Sequence, residues 1–517
     1  MRILLVNWAR LPDGPLEGGG VNGYCGQLAV EFTRQGHQVA YLSSGQTYTR
    51  GPDNAISPCR TRRLPDFQGI QVFDVINSPV LSPGPCQARD PAAEVSSPPL
   101  EAELSRFVAL FRPDIVHLHN VEGLSAGSFA ALRSSGAKVV FSLHNYHTVC
   151  PQVYLMHKGM TPCRNFDAGR ACVGCTPDFD PVAERFQRAG PPIDLLPAPP
   201  SPPTRPSLLA LFAKPVPSPP LAPPPSAPPL PGAPVETVAD LAAPIDAPQR
   251  PAPSTVSDLA PLDNDPSPDP WPEAEENDYA RRRRAFVHAL STCDTVLAVS
   301  EFVRRKFIAL GVRPKVIRTL HIGTRMTDLA LPPAPMPPPD PFRIAFVGYH
   351  NHFKGLHCLL DALDLLPDSD LARIDLLVSA KAVSSIEPRL QAMRPRLARL
   401  SVEHGYRYEN LPHLLRDRHC GIVPSVWWDN GPQTVLEFLA CGVPVLGADL
   451  GGIPDFITHE RNGLLFRGND RHALAASISR LLNDPGLIAR LRSGVTPPKS
   501  MQDHANELLT LYAGIGT

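Results

Sequence analysis

The 517-residue sequence contains no uninterrupted apolar stretch of about 18 residues, the length that a membrane-spanning helix requires. It also has no excess of one charge. The 49 Lys and Arg residues stand against 50 Asp and Glu, which excludes the strong basic field of many nucleic-acid-binding proteins. The opening residues MRILLVNW have only a short apolar run before polar residues, unlike an export signal. We therefore expect a cytoplasmic protein with no spanning helix and no nucleic-acid partner.

The 11 cysteines are odd in number and mostly scattered, which fits a reducing compartment better than a disulfide framework. The exception is a set of four, Cys150, Cys163, Cys172 and Cys175. The C-x2-C spacing of the last two suits one ion held by two thiolates, and the two upstream thiolates complete the tetrahedral set of a structural zinc. The alternatives are reduced loop cysteines, a redox pair and an iron-sulfur cluster.

Proline is abundant, with 63 residues, and its placement divides the chain. Thirty prolines fall between Pro177 and Pro272, in a stretch with few charges and little hydrophobic period. Such a stretch cannot bury enough apolar surface to fold. We therefore predict a disordered insertion over residues 177–276 that is dispensable for chemistry. A second proline cluster, residues 329–341, predicts a semi-rigid interdomain linker.

Alternating strand and helix patterns fill the rest of the chain. A strand at residues 3–7, a glycine triplet, a helix and a strand at residues 38–42 predict a βαβ unit. Residues 45–99 show no clear period and are interpreted as loops with short elements. The alternation predicts doubly wound, mostly parallel sheets. The predicted parts are an N-terminal domain of residues 1–176 and 277–328, a C-terminal domain of residues 342–498, and a final helix in residues 499–517.

The most informative stretch is PSVWWDNGPQTVLEFLACGVPVLGADLGGIPDF, which begins at Pro424. Asp429 and Glu437 lie eight positions apart, on the loop and helix after a predicted strand, so both acids are able to face one pocket. In open α/β sheets, strand ends and helix N-terminal amides converge on the ligand. Carboxylates suit a ligand made of hydroxyls, because each accepts two hydrogen bonds from a vicinal diol. The alternative is a pair of solvated helix acids.

This stretch resembles the retaining, nucleotide-sugar-dependent glycosyltransferases of family 4. The matching positions are Pro424-Ser425, Asp429, Glu437, Cys441-Gly442-Val443-Pro444-Val445 and Gly451-Gly452-Ile453-Pro454-Asp455. The sequence departs from the family in having Asp at positions 429 and 455, where the family usually has Glu. The resemblance implies an α/β protein with the GT-B fold, in which two Rossmann-like doubly wound domains face a cleft and the last helix packs back on the N-terminal domain.

The resemblance also assigns roles to single residues. Lys354, in the segment GYHNHFKG, neutralises the departing diphosphate; Glu437 binds ribose hydroxyls and Asp429 binds hydroxyls of the sugar. His144, at the end of the strand VVFSLHN, approaches the transferred sugar, and His119 belongs to its surroundings or to the acceptor side. The residues assigned to donor binding are Gly19, Gly20, Gly348, Asn430, Gly431, Pro432 and Thr434. The alternatives are a solvated lysine, an ordinary glycine turn and structural histidines.

The implied function is transfer of a sugar from a nucleoside diphosphate sugar to a hydroxyl of a glycan, a lipid-linked molecule or a small molecule, in polysaccharide or glycoconjugate synthesis. No cofactor is expected for catalysis, since the Asp-x-Asp triplets at residues 178–180, 263–265 and 368–370 are interpreted as solvated acids. Two alternatives stay open: a sugar-nucleotide-binding regulatory protein with weak catalysis, and another GT-B enzyme such as a sugar-nucleotide epimerase. The basic stretch from Arg281 to Arg284 predicts peripheral association with the inner face of a membrane, or else a solvated charge run.

Overall fold

The structure is a computed structural model. The chain forms two α/β domains, each built on a sheet of mostly parallel strands. The structure describes residues 1–12, 19–82, 90–176, 180–191, 262–265, 277–331, 340–349, 351–381 and 383–515. Most of the predicted insertion, residues 192–261 and 266–276, lies outside the described residues, as does the centre of the predicted linker, residues 332–339.

The N-terminal domain alternates strands and helices around buried apolar segments such as RILLV near its start. Its strands are β1 (Arg2–Val6), β2 (Gln38–Ser44), β3 (Tyr48–Thr49), β4 (Arg60–Phe67), β5 (Ile70–Ile76), β6 (Ile115–Leu118), β7 (Lys138–Leu143), β8 (Met156–His157), β9 (Thr161–Pro162), β10 (Ala189–Gly190), β11 (Thr295–Ala298) and β12 (Ile317–Thr319). Its helices are α1 (Gly19–Arg34), α2 (Pro91–Val95), α3 (Pro98–Phe111), α4 (Ser128–Arg133), α5 (Arg170–Val173), α6 (Pro181–Arg188), α7 (Asp278–Thr292), α8 (Glu301–Ala309) and α9 (Met326–Leu329). The main sheet has the order β12-β11-β7-β6-β1-β2-β5-β4 and is parallel except for β4.

The C-terminal domain repeats the alternation on a six-stranded, fully parallel sheet. Its strands are β13 (Phe342–Tyr349), β14 (Ile374–Lys381), β15 (Arg399–Glu403), β16 (Cys420–Val423), β17 (Val445–Ala448) and β18 (Gly463–Phe466). Its helices are α10 (Leu356–Asp364), α11 (Asp368–Leu371), α12 (Glu387–Met393), α13 (Leu411–Leu415), α14 (Gln433–Ala440), α15 (Arg471–Asn483) and α16 (Pro485–Ser493), and the chain ends with α17 (Met501–Ile515). The strand order is β15-β14-β13-β16-β17-β18.

Both sheets change strand order at their centre. In the first sheet β1 lies between β2 and β6, and in the second β13 lies between β14 and β16. The chain leaves such neighbouring strands toward opposite faces of the sheet, which opens a crevice at their carboxyl ends. The predicted site residues lie at these ends: Gly19 and Gly20 after β1, His119 after β6, Gly348 in β13 and Asp429 after β16.

A hairpin of β4 and β5 extends the first sheet within residues 45–99, where the sequence pattern indicates loops. β5 is almost fully buried, whereas β4 lies antiparallel to it at the edge of the sheet. The buried carboxylate of Asp74 on β5 pairs with Arg62 on β4 at 3.0 Å. These facing charges interrupt the apolar alternation that normally indicates a strand, so the sequence pattern does not indicate the hairpin.

Residues 181–190 form α6 and β10, although the proline-rich composition predicts disorder from residue 177 onward. The Asp180 carboxylate accepts hydrogen bonds from the amides of Val182 and Ala183, and Pro181 occupies the first turn, so the local sequence specifies a helix start. β10 then pairs with β3 of the N-terminal domain. The predicted insertion therefore begins too early, because capping and strand pairing order this part of the chain.

The last helix, α17, packs against α1 of the N-terminal domain. Its buried face, which includes Met501 and Leu508, shares an apolar cluster with Phe32 of α1. Two buried polar contacts fix the helix in place: Tyr24 Oη lies 2.6 Å from His504 Nε2, and His117 Nδ1 lies 2.6 Å from the hydroxyl of Tyr512. The chain thus returns to its first domain after completing the second.

Candidate active site

Lys354 and Asp429 meet at the carboxyl edge of the C-terminal sheet. Lys354 ends a short turn of 3-10 helix, His352–Lys354, in which Asn351 accepts a hydrogen bond from the Lys354 amide at 3.0 Å. Asp429 lies in the loop after β16 and is only 5% exposed. The Nζ of Lys354 donates to Oδ2 of Asp429 at 2.7 Å. A buried carboxylate requires such a partner, because an unpaired charge loses its hydration without compensation.

Glu437, on α14, is the second buried carboxylate at this edge. Burial raises the pKa of its carboxyl to about 7, while the Tyr406 hydroxyl, which donates at 3.5 Å, and the positive charge of Lys354 act in the opposite direction. Lys354 therefore pairs with Asp429 and is close enough to Glu437 to influence its ionisation. The structure brings these three predicted residues together.

The residues between Asp429 and α14 include a polar group without a partner. Asn430 is 2% exposed, and neither oxygen nor nitrogen of its side-chain amide has a hydrogen-bond partner among the described residues. Each unpaired polar atom of this kind costs about 1–3 kcal/mol when it is buried, so it needs an explanation such as a ligand or a water. Thr434, in the first turn of α14, faces Gly348, where a Cβ would lie 3.8 Å from its methyl group.

Glycines on both domains allow the domains to approach each other at this site. Gly19 begins α1 with φ +58, and the carbonyl of Gly20 accepts a hydrogen bond from Nε2 of Gln433 at 2.9 Å. A Cβ on Gly20 would lie only 3.0 Å from the Gln433 side chain. A Cβ on Gly431 would lie 3.1 Å from Val299 of the N-terminal domain. Pro432, at the N-cap of α14, follows Gly431 directly.

His144 lies just beyond β7 among other ring side chains. Its Nε2 lies 3.2 Å from Nδ1 of His119, and its ring centroid is 4.9 Å from that of Tyr24. Burial lowers the pKa of His144 to about 3, so the imidazole is neutral at pH 7 and has one donor and one acceptor nitrogen. Two residues further on, Tyr146 Oη donates to the Trp428 carbonyl at 2.9 Å. This bond ties the end of β7 to the loop after β16.

Asp455 links the two domains. Its Oδ2 accepts hydrogen bonds from the Glu301 amide at 2.6 Å and from His321 Nε2 at 2.9 Å. Because Glu301 begins α8, the carboxylate also faces the positive end of that helix. The second position at which the chain has the shorter acid therefore serves the contact between domains.

The four cysteines predicted to bind zinc are free thiols. Burial raises the pKa of Cys163 to about 11 and that of Cys172 to about 12. Cys150 and Cys175 are also buried, and the Cys175 sulfur accepts a hydrogen bond from the Lys158 amide at 3.1 Å. Across the described part of the chain, no group of three or more His, Cys, Asp or Glu side chains is arranged to hold a metal ion. The zinc prediction is therefore not supported.

Half of the basic stretch predicted to face a membrane points inward. Arg282 is 1% exposed, and its Nε donates to the buried carboxylate of Glu94 at 2.6 Å. Arg283 is 5% exposed, donates to the Val149 carbonyl at 2.8 Å and lies over the Phe166 ring at 3.5 Å. Only the first and last arginines of the stretch are exposed, so its surface charge is half of what the sequence indicates. Within the described ranges, no helix is both long enough and apolar enough to cross a membrane.

Sequence patterns do not identify several side chains that complete the site. These are Tyr24, Tyr146, Tyr406 and Gln433. A single tyrosine carries no spacing signal, and each of the three reaches the site from a different element. Gln433 had an available signal, because it directly follows Pro432 at the start of the helix that carries Glu437.

Two family descriptions match the chain. "Glycosyl transferase 4-like domain" matches residues 19–173, and "Glycosyl transferases group 1" matches residues 341–484. The first match contains His144, and the second contains Lys354, Asp429 and Glu437. Together they cover the greater part of both described domains.

Curated relatives match over part of their length. A D-inositol 3-phosphate glycosyltransferase of Streptomyces bingchenggensis is 30% identical over 166 residues, which are 30% of this chain and 36% of that protein. The putative colanic acid biosynthesis glycosyltransferase WcaL of Escherichia coli K12 is 26% identical over 238 residues, or 43% of this chain and 57% of that protein. The O-antigen chain mannosyltransferase B of Escherichia coli is 27% identical over 41% of this chain and 58% of that protein. The chain thus spans 36–58% of the length of these relatives.

Solved structures match over nearly the whole chain. The HepE protein of Anabaena in complex with UDP has a TM-score of 0.55 at 13% identity, covering 99% of this chain and 100% of that chain. Sucrose-phosphate synthase of Thermosynechococcus elongatus has a TM-score of 0.57 at 16% identity, covering 100% of this chain and 99% of that chain. At these identities the similarity concerns the fold, and it confirms the predicted GT-B arrangement of two Rossmann-like domains.

Proposed function

Since the chain belongs to the family 4 glycosyltransferases, whose two-domain fold is GT-B, we propose that it transfers a sugar from a nucleoside diphosphate sugar to an acceptor hydroxyl, with retention at the anomeric carbon. One observation carries the proposal. Lys354 pairs with the buried carboxylate of Asp429 and lowers, by its charge, the pKa of the buried carboxyl of Glu437, at the edge where the two domains meet. One cation and two carboxylates match a donor that combines a diphosphate with a sugar and a ribose diol.

Lys354 is assigned to the diphosphate. In the unliganded protein its ammonium group is neutralised by Asp429 at 2.7 Å. A bound diphosphate offers more negative charge to the same ammonium, so donor binding draws Lys354 toward the phosphates and frees Asp429 to accept hydrogen bonds from sugar hydroxyls. Glu437 accepts hydrogen bonds from the ribose diol. As the bond to the anomeric carbon breaks, Lys354 stabilises the charge that develops on the departing diphosphate.

The remaining donor-binding residues supply close backbone approach and polar contacts. The unpaired amide of Asn430 offers both a donor and an acceptor to the ligand. The first turn of α14, at Thr434, presents amides that favour an anion. The other residues assigned to the donor site are expected to contact the donor mainly through backbone, and these are Gly19, Gly20, Gly348, Gly431 and Pro432.

His144 is assigned to the transferred sugar. Its neutral ring, held by His119 and Tyr24, is able to contact a sugar hydroxyl beside the anomeric carbon without adding positive charge. The role is positioning of the reacting groups, which removes much of the entropic barrier to transfer.

The comparisons support a first choice of donor and acceptor. HepE was solved with UDP and with UDP-glucose, so UDP-sugars are the donors to test first. WcaL and the O-antigen mannosyltransferase are named for polysaccharide synthesis, which supports a glycan or lipid-linked acceptor.

The test combines donor binding with turnover. Purified protein is screened with a panel of nucleoside diphosphate sugars for thermal stabilisation, because a ligand that binds the folded state raises apparent stability by mass action. Release of nucleoside diphosphate is then measured for wild type, Lys354→Ala, Glu437→Ala and the control Lys315→Ala, which alters an exposed lysine. We expect both site variants to lose most turnover and the control to keep it. Near-normal turnover in both site variants would refute the assignment, and donor binding without any diphosphate release would indicate a regulatory protein instead.

A further inference from the structure

Residues 262–265, here called the strap, belong to the proline-rich insertion yet lie against the C-terminal domain. Leu262 forms an isolated antiparallel bridge with Gly468, its amide donating to the Gly468 carbonyl at 2.9 Å. The carbonyl of Asp263 accepts a hydrogen bond from Trp428 Nε1 at 3.4 Å. The strap therefore touches the residue that immediately precedes the buried carboxylate of the candidate site.

Asn264, in the middle of the strap, binds both backbone groups of one residue. Its Oδ1 accepts a hydrogen bond from the Gly451 amide at 2.7 Å, and its Nδ2 donates to the Gly451 carbonyl at 3.3 Å. A side-chain amide that satisfies both groups of one peptide residue restricts that residue more than a single bond does.

Gly451 in turn lies directly against Asp429. Gly451 has φ +57, and a Cβ at this position would overlap the backbone nitrogen and oxygen of Asp429. The next amide, that of Gly452, donates to the Asp429 carbonyl at 2.6 Å. Contacts therefore run without a gap from the side chain of Asn264 through the backbone of the two glycines to Asp429. Packed backbone of this kind transmits a shift, because it has no room to absorb it.

The strap also reaches the N-terminal domain. The carboxylate of Asp265 lies 3.9 Å from the guanidinium of Arg164. It also acts to raise the pKa of the buried Lys306, whose pKa is lowered to about 8, mainly by burial. The strap thus bridges the two domains beside the candidate site, whereas the sequence pattern indicates a solvated acidic triplet in a dispensable tract.

We propose that Asn264 is a positioning residue of the enzyme: by holding Gly451, it fixes the loop that carries Asp429 for contact with the donor sugar. This inference rests on the proposed function for its kinetic consequence. Its structural part, the restriction of the Gly451 turn, is independent of any substrate. A segment of the insertion is accordingly part of the active-site support.

The test uses three full-length variants. Asn264→Ala removes both bonds to Gly451, and Asn264→Asp keeps an acceptor for the Gly451 amide but loses the donor to its carbonyl. Asp263→Ala is the matched control, because it removes only an exposed ion pair with Arg467 and keeps the backbone carbonyl that Trp428 binds.

Amide hydrogen exchange of the unliganded proteins is the first measurement. We expect exchange at residues 450–452 to accelerate about tenfold in Asn264→Ala, as the loss of one net hydrogen bond predicts, and less in Asn264→Asp. The Asp263→Ala control should exchange like wild type. Unchanged exchange in Asn264→Ala overturns the proposal, whatever the activity.

Steady-state kinetics with the donor found by the panel is the second measurement. We expect kcat/KM for the donor to fall about tenfold in Asn264→Ala and to recover partly in Asn264→Asp, while KM for the acceptor stays constant. A strap that only supports the fold would lower Tm in Asn264→Ala and Asn264→Asp and leave kcat/KM for the donor unchanged, which refutes positioning. Failure of the proposed function looks different: wild type then turns over no nucleotide sugar, and the exchange comparison still decides whether Asn264 holds the loop.

Discussion

Substituting Glu437 by Gln should stabilise the fold at alkaline pH while removing activity. The carboxyl of Glu437 has an ordinary pKa of 4.5 in the unfolded chain, and burial raises this pKa to about 7 in the folded protein. As pH rises, the unfolded chain therefore loses its proton before the folded protein does. The free energy of unfolding decreases as pH rises from the first pKa to the second. The ionised side chain destabilises the fold above pH 7 by up to about 3 kcal/mol.

The Glu437→Gln variant has no charge to bury. Its stabilising effect should be small near pH 4.5 and should grow by about 2 kcal/mol between pH 5.5 and 8.5, as the difference between the two pKa values requires. Thermal melting across this pH range measures the effect, and about 2 kcal/mol corresponds to a rise of several degrees for a domain of this size. Glu403→Gln, at an exposed glutamate, is the matched control and should show no such trend.

The same variant should lose activity, because an amide has one acceptor oxygen in place of the two that a carboxylate offers to a diol, and carries no charge. We expect kcat/KM to fall about 100-fold, or roughly 3 kcal/mol of transition-state stabilisation. A Glu437→Gln protein that is equally stabilised at pH 5.5 and 8.5, or that is destabilised at pH 8.5, would show that the carboxyl is not held in a low-dielectric site and would refute the reasoning.

Three further predictions concern the same site. Lys354→Met should lower the free energy of unfolding. A double-mutant cycle with Asp429→Asn, measured by chemical denaturation, should give a coupling energy of about 1–2 kcal/mol, a modest value because the lysine is partly exposed. Additive effects of the two substitutions would mean that the 2.7 Å ion pair does not contribute to stability. Asp429→Glu should change the preference among sugars that share one nucleotide in competition assays, and an unaltered preference would place its side chain away from the sugar. Replacing residues 192–261 by a flexible linker should preserve donor binding, as measured by calorimetry. Extending the deletion to residue 265 should weaken donor binding. Equal donor affinities in the two deletion variants would show that the strap is dispensable.

Much of the fold was readable from the sequence because parallel α/β domains repeat a simple pattern. Buried strands such as RILLV and the helices between them carry strong apolar periods, and the order of these elements predicts two doubly wound domains. The sequence pattern did not predict the hairpin of β4 and β5, because the buried pair of Arg62 and Asp74 places charge where strand patterns require apolar residues. The sequence pattern did not predict helix α6 either, because the high proline content of this segment indicated disorder although Asp180 caps a helix start.

The sequence by itself determined which residue types are available at the site: Lys354 and Asp429 follow strands and Glu437 lies in the next helix, in a spacing that resembles one family. Only the tertiary structure decided how they act on one another, because a 2.7 Å ion pair between positions 75 residues apart depends on two strand ends meeting at one sheet edge. It likewise buried Cys150, Cys172 and Cys175 of the four cysteines with metal-like spacing and raised the pKa of Cys163 and Cys172, since burial, and not spacing, shifts the ionisation of a thiol. The tertiary structure also placed Asn264 against the Gly451 turn, although the composition of its segment predicts no structure. A few hydrogen bonds to a folded domain are able to order a short segment that has no core of its own.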